Sequence, residues 1–380
     1  MSIRVIASVT NDINHDIRVD RICSSLHNNG YEVLLVGRKR PDSKAIEKRG
    51  YNTQRFSLPF DSGLLFYAVY NIRLFIFLLF SKADIFLAND LDTLAANYLA
   101  ARIRGKKLVY DSHEYFCYVP ELNDRPRVQG VWKSIERKIF PTLRNVMTVN
   151  TSLADIYSDE YNVSVQVIRN VPVSSKHDDN DNDNDDDNDN SDKLLKTHQG
   201  KNKIIYQGVL NKDRGIEESI SAMRFVQNAV LLIAGEGDLS KELRELVKKE
   251  ELKDKVEFLG RIKLEELRKI TRSCALGLSL EKDTCLSYRY SLPNKIFDYM
   301  HAGIPVLSSD LIEKRNLIEK CDIGLVIDNC EPEHIGSKIN EMLSNTEKRF
   351  WWKQNALNSA KQFNWELEEQ KLLRFYENIS

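Results

Sequence analysis

SLPNKIFDYMHAGIPVLSSD, residues Ser291–Asp310, is the stretch on which the reading of this chain turns. Pro293 suits a first helical turn, where its missing N–H has no partner to lose. Gly303 followed by Pro305 marks a helix stop, because glycine accepts a left-handed residue. Ile296, Phe297 and Met300 form the apolar stripe between them. Asn294 and Lys295 open the helix, and Asp298 follows one turn later on a neighbouring face. A helix start favours anions, and an amide with an ammonium makes it a phosphate seat. A carboxylate one turn deeper can accept two hydrogen bonds from a diol. Phosphate and diol together describe a nucleotide. A Pro-capped surface helix with one Lys and one Asp would give the same pattern, so the rest of the chain decides.

Outward from that window the sequence alternates strand and helix. Ile3–Val9, Tyr31–Gly37, Asp84–Ala88, Lys107–Tyr110, Val146–Val149 and Val165–Ile168 are β-rich runs, with a helical pattern over Asp16–Asn29. After a break the rhythm resumes at Ile204–Tyr206, Val230–Ala234, Val256–Leu259, Leu276–Leu280, Val306–Ser308 and Leu325–Ile327. This is the rhythm of parallel sheets covered by helices on both faces. It predicts two doubly wound, Rossmann-like α/β domains facing a central cleft. Residues 1–173 form the first, 174–200 a disordered acidic segment and 201–363 the second. Residues 364–380 form a C-terminal helix that packs back on the first domain.

The 380 residues are 42% hydrophobic, ample for two ordinary cores. The net charge of −1 conceals a segregation. Asp178–Asp192 holds nine Asp and no basic residue, so without it the body stands at about +8. A basic body suits anionic substrates and an anionic membrane surface. The acidic run lacks the turn glycine and closing Glu of a Ca²⁺ loop. Six cysteines lie scattered without metal spacing, and the N-terminus runs straight into a strand without a signal peptide. Free thiols in a reducing cytoplasm are the economical reading. Leu64–Phe80 (LLFYAVYNIRLFIFLLF) has only Asn71 and Arg73 as clearly polar residues. At about 17 residues it is marginal for a membrane span. Its place between two strands leaves two readings, a helix buried in the domain or one presenting an apolar face to a bilayer surface.

The strand-end loops carry the remaining chemistry. Gly208–Gly215 (GVLNKDRG) places Lys212 and Arg214 before a helix, a combination suited to a diphosphate. Gly235 and Gly237 shape the next strand-to-helix turn, and Gly260, Arg261 and Ile262 close a third strand, where backbone groups can meet a base edge. In the first half, Asp111–Tyr115 (DSHEY) offers His113 and Glu114 as acid/base or hydrogen-bonding groups at a strand end. Thr10–Arg18 (TNDINHDIR) offers His15 and Arg18, or a simple cap and ion pair, and has no glycine. It is therefore no dinucleotide fingerprint, which disfavours a nicotinamide enzyme.

With these loops in view, the chain resembles glycosyltransferase family 4, retaining enzymes of the GT-B fold. The likeness is carried by YQGVLNKDRGIEESISA, LLIAGEGD, VEFLGR and PNKIFDYMHAGIPVLSSD. DIRVDRICSSLHNNGYEVLLVG, KLVYDSHEYF and RNVP carry it in the first half. The resemblance implies metal-independent transfer from a UDP- or GDP-sugar held by the second domain, without a cofactor. The acceptor would be a saccharide or lipid-linked saccharide on the first domain, in polysaccharide or glycolipid synthesis. That setting places the protein in the cytoplasm, at the inner face of the membrane, with peripheral contact through 64–80 and no nucleic-acid partner. Arg214 would stabilise the departing diphosphate. Lys295 and Asn294 would lie beside the phosphates or nucleoside, with Asp298 on the ribose. Arg261 and Ile262 would meet the base, and His113 would lie near the reacting sugar. Three departures stand out: Tyr290 occupies the place of the family's first paired Glu, Val209 that of its usual loop Arg, and the first loop lacks glycine. They keep two other readings open, a catalytically silent GT-B partner or membrane-binding subunit and a UDP-sugar epimerase.

Overall fold

The computed structural model describes residues 2–41, 43–174 and 197–379, so the acidic run 178–192 lies outside the described residues. The chain forms two compact units. The first takes in Met1–Asn170, Cys285–Ser287 and Leu367–Ser380, and the second Val171–Thr284 and Tyr288–Glu366. The first boundary falls three residues before the expected 173. The last helix, Trp365–Glu377, changes unit at Leu367 rather than joining the first unit whole.

The first unit is built on a seven-stranded parallel sheet, ordered β3-β2-β1-β4-β5-β6-β7. Its strands are β1 (Arg4–Ser8), β2 (Glu32–Lys39), β3 (Asn52–Ser57), β4 (Ile85–Asn89), β5 (Lys107–Ser112), β6 (Asn145–Thr148) and β7 (Val165–Val167). Val5 lies between Val33 and Ile85, so the order reverses at β1 and β4. That reversal opens the crevice where doubly wound sheets bind ligands. The edge strand β3 has no counterpart in the apolar pattern, because only Phe56 of its six residues is buried. The helix Gly63–Phe80 lays Phe66, Tyr70, Leu74 and Leu78, a strict four-residue stripe, against Ile6, Val36 and Phe86 of the sheet. Burial of such side chains contributes about 1.5–3 kcal/mol each. The helix is therefore not buried throughout: one stripe is buried and the opposite face is exposed.

The second unit carries a six-stranded parallel sheet, β10-β9-β8-β11-β12-β13. These are β8 (Asn202–Gln207), β9 (Ala229–Ala234), β10 (Val256–Gly260), β11 (Leu276–Ser279), β12 (Val306–Ser309) and β13 (Gly324–Ile327). Successive residues serve opposite cores. Ile204, Tyr206, Leu231 and Ile233 join one cluster, and Ile205, Val230 and Leu232 the other. Helices therefore cover both faces, which explains why β9 (AVLLIA) is buried throughout. The order reverses between β8 and β11. The helix Asn294–Ala302 packs Ile296, Phe297, Tyr299 and Met300 inward and ends at Gly303 with φ +68°. Pro293 precedes the helix, at φ −64° and ψ 135°, instead of lying in its first turn.

Candidate active-site half-sites

In the second unit the loops after β8, β9 and β10 are knitted together at the carboxyl edge. Gly208 N donates to Ala234 O (2.9 Å), Gly235 N to Gly260 O (2.8 Å) and Leu239 N to Leu210 O (2.9 Å). Two glycines are required by this closeness. A Cβ on Gly235, at φ +144°, would stand 1.9 Å from Gly208 O. One on Gly215, at φ +72°, would stand 2.1 Å from Leu280 O. Both conformations lie where side chains are strained. Gly237 packs as closely on Leu210, Lys212 and Arg261 are exposed, and Ile262 rests on the core.

The centre of this half-site is a buried charge cluster at the β8/β11 reversal. Glu281, two residues beyond β11, is 1% exposed. Its Oε1 lies 2.8 Å from Lys295 Nζ and its Oε2 3.0 Å from Lys314 Nζ. Ser279 Oγ donates to the same Oε2 (2.8 Å). Lys314 Nζ donates in addition to Ser279 O (2.9 Å) and Ser309 Oγ (2.7 Å). Lys295 Nζ also sits 4.0 Å from the centre of the Tyr206 ring, a cation–π contact. Burial alone would raise the Glu281 carboxyl, but Lys295 and Lys314, helped by Arg214, hold it well below the usual carboxylate range. Burial pulls Lys295 below the ordinary lysine value; Arg214 adds to that and Glu281 resists it. Lys295 and Lys314 thus flank one carboxylate, and Arg214, half-buried against the Tyr288 ring (5.5 Å), lies within electrostatic reach of Glu281 and Lys295.

The three polar residues expected to share the helix start diverge. Asn294 is exposed, and Lys295 is buried in the ion cluster instead of presenting a free ammonium. Asp298 points to the other side, where Gln207 Nε2 donates to its Oδ2 (2.7 Å) and Thr271 Oγ1 donates to Gln207 Oε1 (3.1 Å). Asp298 lines a recess with Arg268, Arg272 and His301. Glu281, Lys314, Tyr206 and Gln207 were not singled out from sequence. The available signal for Glu281 was its place just past a strand, the same signal that marked His113. Asp283, two residues further on, pairs with Arg289 at the surface (3.0 Å).

In the first unit the corresponding edge gathers a second ionic network. Arg18 is buried, and its guanidinium forks onto Asp111, Nε to Oδ2 at 2.9 Å and Nη2 to Oδ1 at 2.6 Å. Its Nη1 donates to Ile168 O (2.7 Å). The guanidinium therefore fixes β5 to the loop after β7 and does not reach outward as an acceptor contact; the cap-and-pair reading of this loop is the one observed, with Asp16 capping through Val19 N. His113 lies between two carboxylates, Nε2 2.9 Å from Asp111 Oδ2 and Nδ1 3.2 Å from Asp90 Oδ2. Burial would lower its pKa, but Asp90 and Asp111 raise it well above the ordinary histidine value. Both ring nitrogens of His113 therefore face carboxylates, which favours the charged form of the ring and fixes its orientation. Burial would likewise raise Asp111, yet Arg18 and His113 bring it down to about 2.

Asp90 holds this arrangement at a backbone cost. Its φ of +57° is unusual for a residue with a side chain, and its Oδ1 also accepts from His113 N (2.9 Å). Asp92, one residue into the helix Leu91–Arg104, is buried and accepts a hydrogen bond from Thr10 Oγ1. Burial and then Asp90 push its carboxyl up to about 7. Glu114 is exposed, and His15 ends the short 3₁₀ turn Ile13–His15.

Two doubly wound parallel sheets, each with a polar cluster at its topological reversal, define the GT-B class of protein. Sucrose-phosphate synthase from Thermosynechococcus elongatus has the same fold, at TM-score 0.78 and 16% identity over 99% of both chains. So does a glycosyltransferase from Rickettsia africae, at 0.74 and 14% over 100% of this chain and 98% of that one. Anabaena HepE in complex with UDP and glucose matches at 0.74 and 15% over 99% and 100%. No curated protein matches the chain by sequence. The family model for Glycosyltransferase Family 4 matches residues 17–171, and that for Glycosyl transferases group 1 matches residues 187–359. The chain belongs to the family 4 glycosyltransferases.

Proposed function

We propose that this protein is a retaining, metal-independent hexosyltransferase. It moves a sugar from a UDP- or GDP-sugar to a saccharide or lipid-linked saccharide in cell-surface polysaccharide or glycolipid synthesis. The observation that carries the reading is the gathering of Arg214, Lys295 and Lys314 about Glu281 at the β8/β11 reversal. Charge develops on the diphosphate as the sugar's C1–O bond breaks, and preorganised cations aimed there stabilise it most. Arg214 is the residue placed to meet that charge, with Lys212 at the loop tip. Lys295 contributes through its field from behind, since its ammonium is already held by Glu281. Asp298 accepts from the ribose hydroxyls once Gln207 yields, and the backbone of Gly260–Ile262 meets the base. HepE's complex with UDP and glucose favours a uridine donor. In the first unit, His113, held between Asp90 and Asp111, orients the sugar. The acceptor hydroxyl attacks from the leaving-group face and passes its proton to a phosphate oxygen. The free cysteines fit a cytoplasmic protein.

The test is Arg214→Ala with donor turnover and nucleotide-induced thermal stabilisation measured together. Transfer should fall by at least about a hundredfold, with the fold intact. The shift in unfolding temperature should appear with UDP or GDP and be absent with NAD. Unchanged transfer in a folded variant would make the diphosphate assignment wrong. If no nucleotide stabilises the wild-type chain, the catalytically silent reading, to which Tyr290 lends support, takes its place. Conversion of donor alone to an isomer would instead reveal an epimerase.

A further inference from the structure

Three helices of the first unit form a surface that its fold does not use. On Gly63–Phe80, the face opposite the buried stripe exposes Leu64, Leu65, Ile72, Ile76 and Phe80, the last at 83%. Leu91–Arg104 packs beside it, with Asn71 Nδ2 donating to Asp92 O (2.8 Å) and Arg104 Nη1 to Leu78 O (2.6 Å). It exposes Leu99 and Ile103. Pro126–Ile139 joins the row through an edge contact of Trp132 with Tyr67 (5.2 Å) and exposes Val128 and Val131. Exposed apolar side chains on three adjacent helices exceed the scattered exposure ordinary surfaces show.

The charges of the same helices are one-sided. Together they carry seven basic residues: Arg73, Arg102, Arg104, Arg127, Lys133, Arg137 and Lys138. Their two carboxylates, Asp92 and Glu136, are both buried. The outer surface of the row therefore presents apolar and basic groups without an acidic one. This pattern decides among occupants. A two-fold contact with a second copy would set these like charges face to face. An anionic bilayer surface takes both components, apolar side chains at the acyl boundary and cations among the headgroups. Spanning is excluded by the fold, because Phe66, Tyr70, Leu74 and Leu78 hold the helix against the sheet and it is only about 27 Å long.

We propose that this three-helix face docks the protein on an anionic phospholipid surface. Gly63–Phe80 lies in the plane of the interface, and Arg127, Arg137 and Lys138 contact headgroups. The inference stands apart from the transferase reading, because vesicle binding is measured with no nucleotide or sugar present. The experiment is co-sedimentation of the full chain with phosphatidylcholine vesicles, with and without roughly a third phosphatidylglycerol. Binding should require the anionic lipid and weaken as salt is raised. Ile72→Ser with Ile76→Ser and Phe80→Ser, all exposed positions, should weaken it at least about tenfold. Arg127→Glu with Arg137→Glu and Lys138→Glu should do the same. Both variants should keep the wild-type unfolding temperature. Absence of binding to anionic vesicles overturns the proposal, as does binding that neither folded variant alters. Concentration-dependent dimerisation lost in the serine variant also overturns it, in favour of a second copy.

Discussion

Single residues set the chemistry of both half-sites, and Glu281 is the one with the largest consequence. It sits between two buried ammoniums, and neither has another carboxylate partner among the described residues. Removing the charge from a buried pair costs about 3–5 kcal/mol, because the partner stays uncompensated. Glu281→Gln should therefore lower the stability of the second unit by roughly that amount, read as a shift in the denaturant midpoint. A variant as stable as the wild type would mean that the cluster is solvated. The first unit predicts a pH dependence. Asp92 has its carboxyl raised from 3.8 to about 7, so its share of stability is complete below 3.8 and lost as pH climbs to about 7. His113, raised above 6.5, gives stability that is complete below 6.5 and lost at higher pH as it deprotonates. Both act in one direction, so the first unit should weaken as pH rises from 3.8 through about 7, with the share from His113 lost above 6.5. Asp111, held down at about 2, works oppositely but only below 3.8. In Asp92→Asn the loss between pH 4 and 7 should shrink by up to about 1.4 kcal/mol per pH unit. An identical pH profile in that variant would place the titration elsewhere.

At the scale of elements, the sequence was most legible where local chemistry sets the backbone. The helix Asn294–Ala302 could be bounded because Pro293 and Gly303 act through their own dihedral angles. The loops at Gly208 and Gly235 could be placed because each follows a strand with a buried apolar run, and Gly260 because it ends the short β-rich run VEFLG. What escaped was non-local. Arg18 and Asp111 are 93 residues apart, and Glu281 and Lys314 are 33 apart on either side of the helix that seemed to explain Lys295. No periodicity links such pairs, because the sheet order brings them together. The strand β3 escaped for another reason. At the sheet edge it buries little, so NTQRFS carries no alternation to read. The segment Leu64–Phe80 was ambiguous because composition reports how apolar a helix is, whereas only packing reports which face is used.

The whole molecule joins its two units by more than one crossing of the chain, and the last crossing yields the broadest prediction. The chain passes from first to second unit at Asn170 and returns for good at Leu367. Within the first unit, residues 367–379 bury Leu372 and Tyr376 completely, with Tyr376 meeting the Tyr31 ring edge-on at 5.9 Å. Glu368, 1% exposed, accepts from Arg169 N (3.0 Å) and pairs with Lys371 (2.7 Å). Ending the chain at Glu366 would remove these apolar side chains, uncover the surface they cover at Tyr31, and take away the acceptor of the Arg169 N–H. By the same bookkeeping of about 1.5–3 kcal/mol per large side chain, the first unit should lose on the order of 4 kcal/mol or more. The second unit keeps Trp365, 5% exposed, whose N–H donates to Pro172 O (2.8 Å). It should therefore unfold much as before and retain its stabilisation by nucleotide. Thermal unfolding with and without UDP separates the two outcomes. The transition that UDP does not shift should move to lower temperature, while the UDP-dependent one stays. If truncation lowers both together, the last helix supports the second unit as well, and the division at Leu367 does not describe how stability is shared.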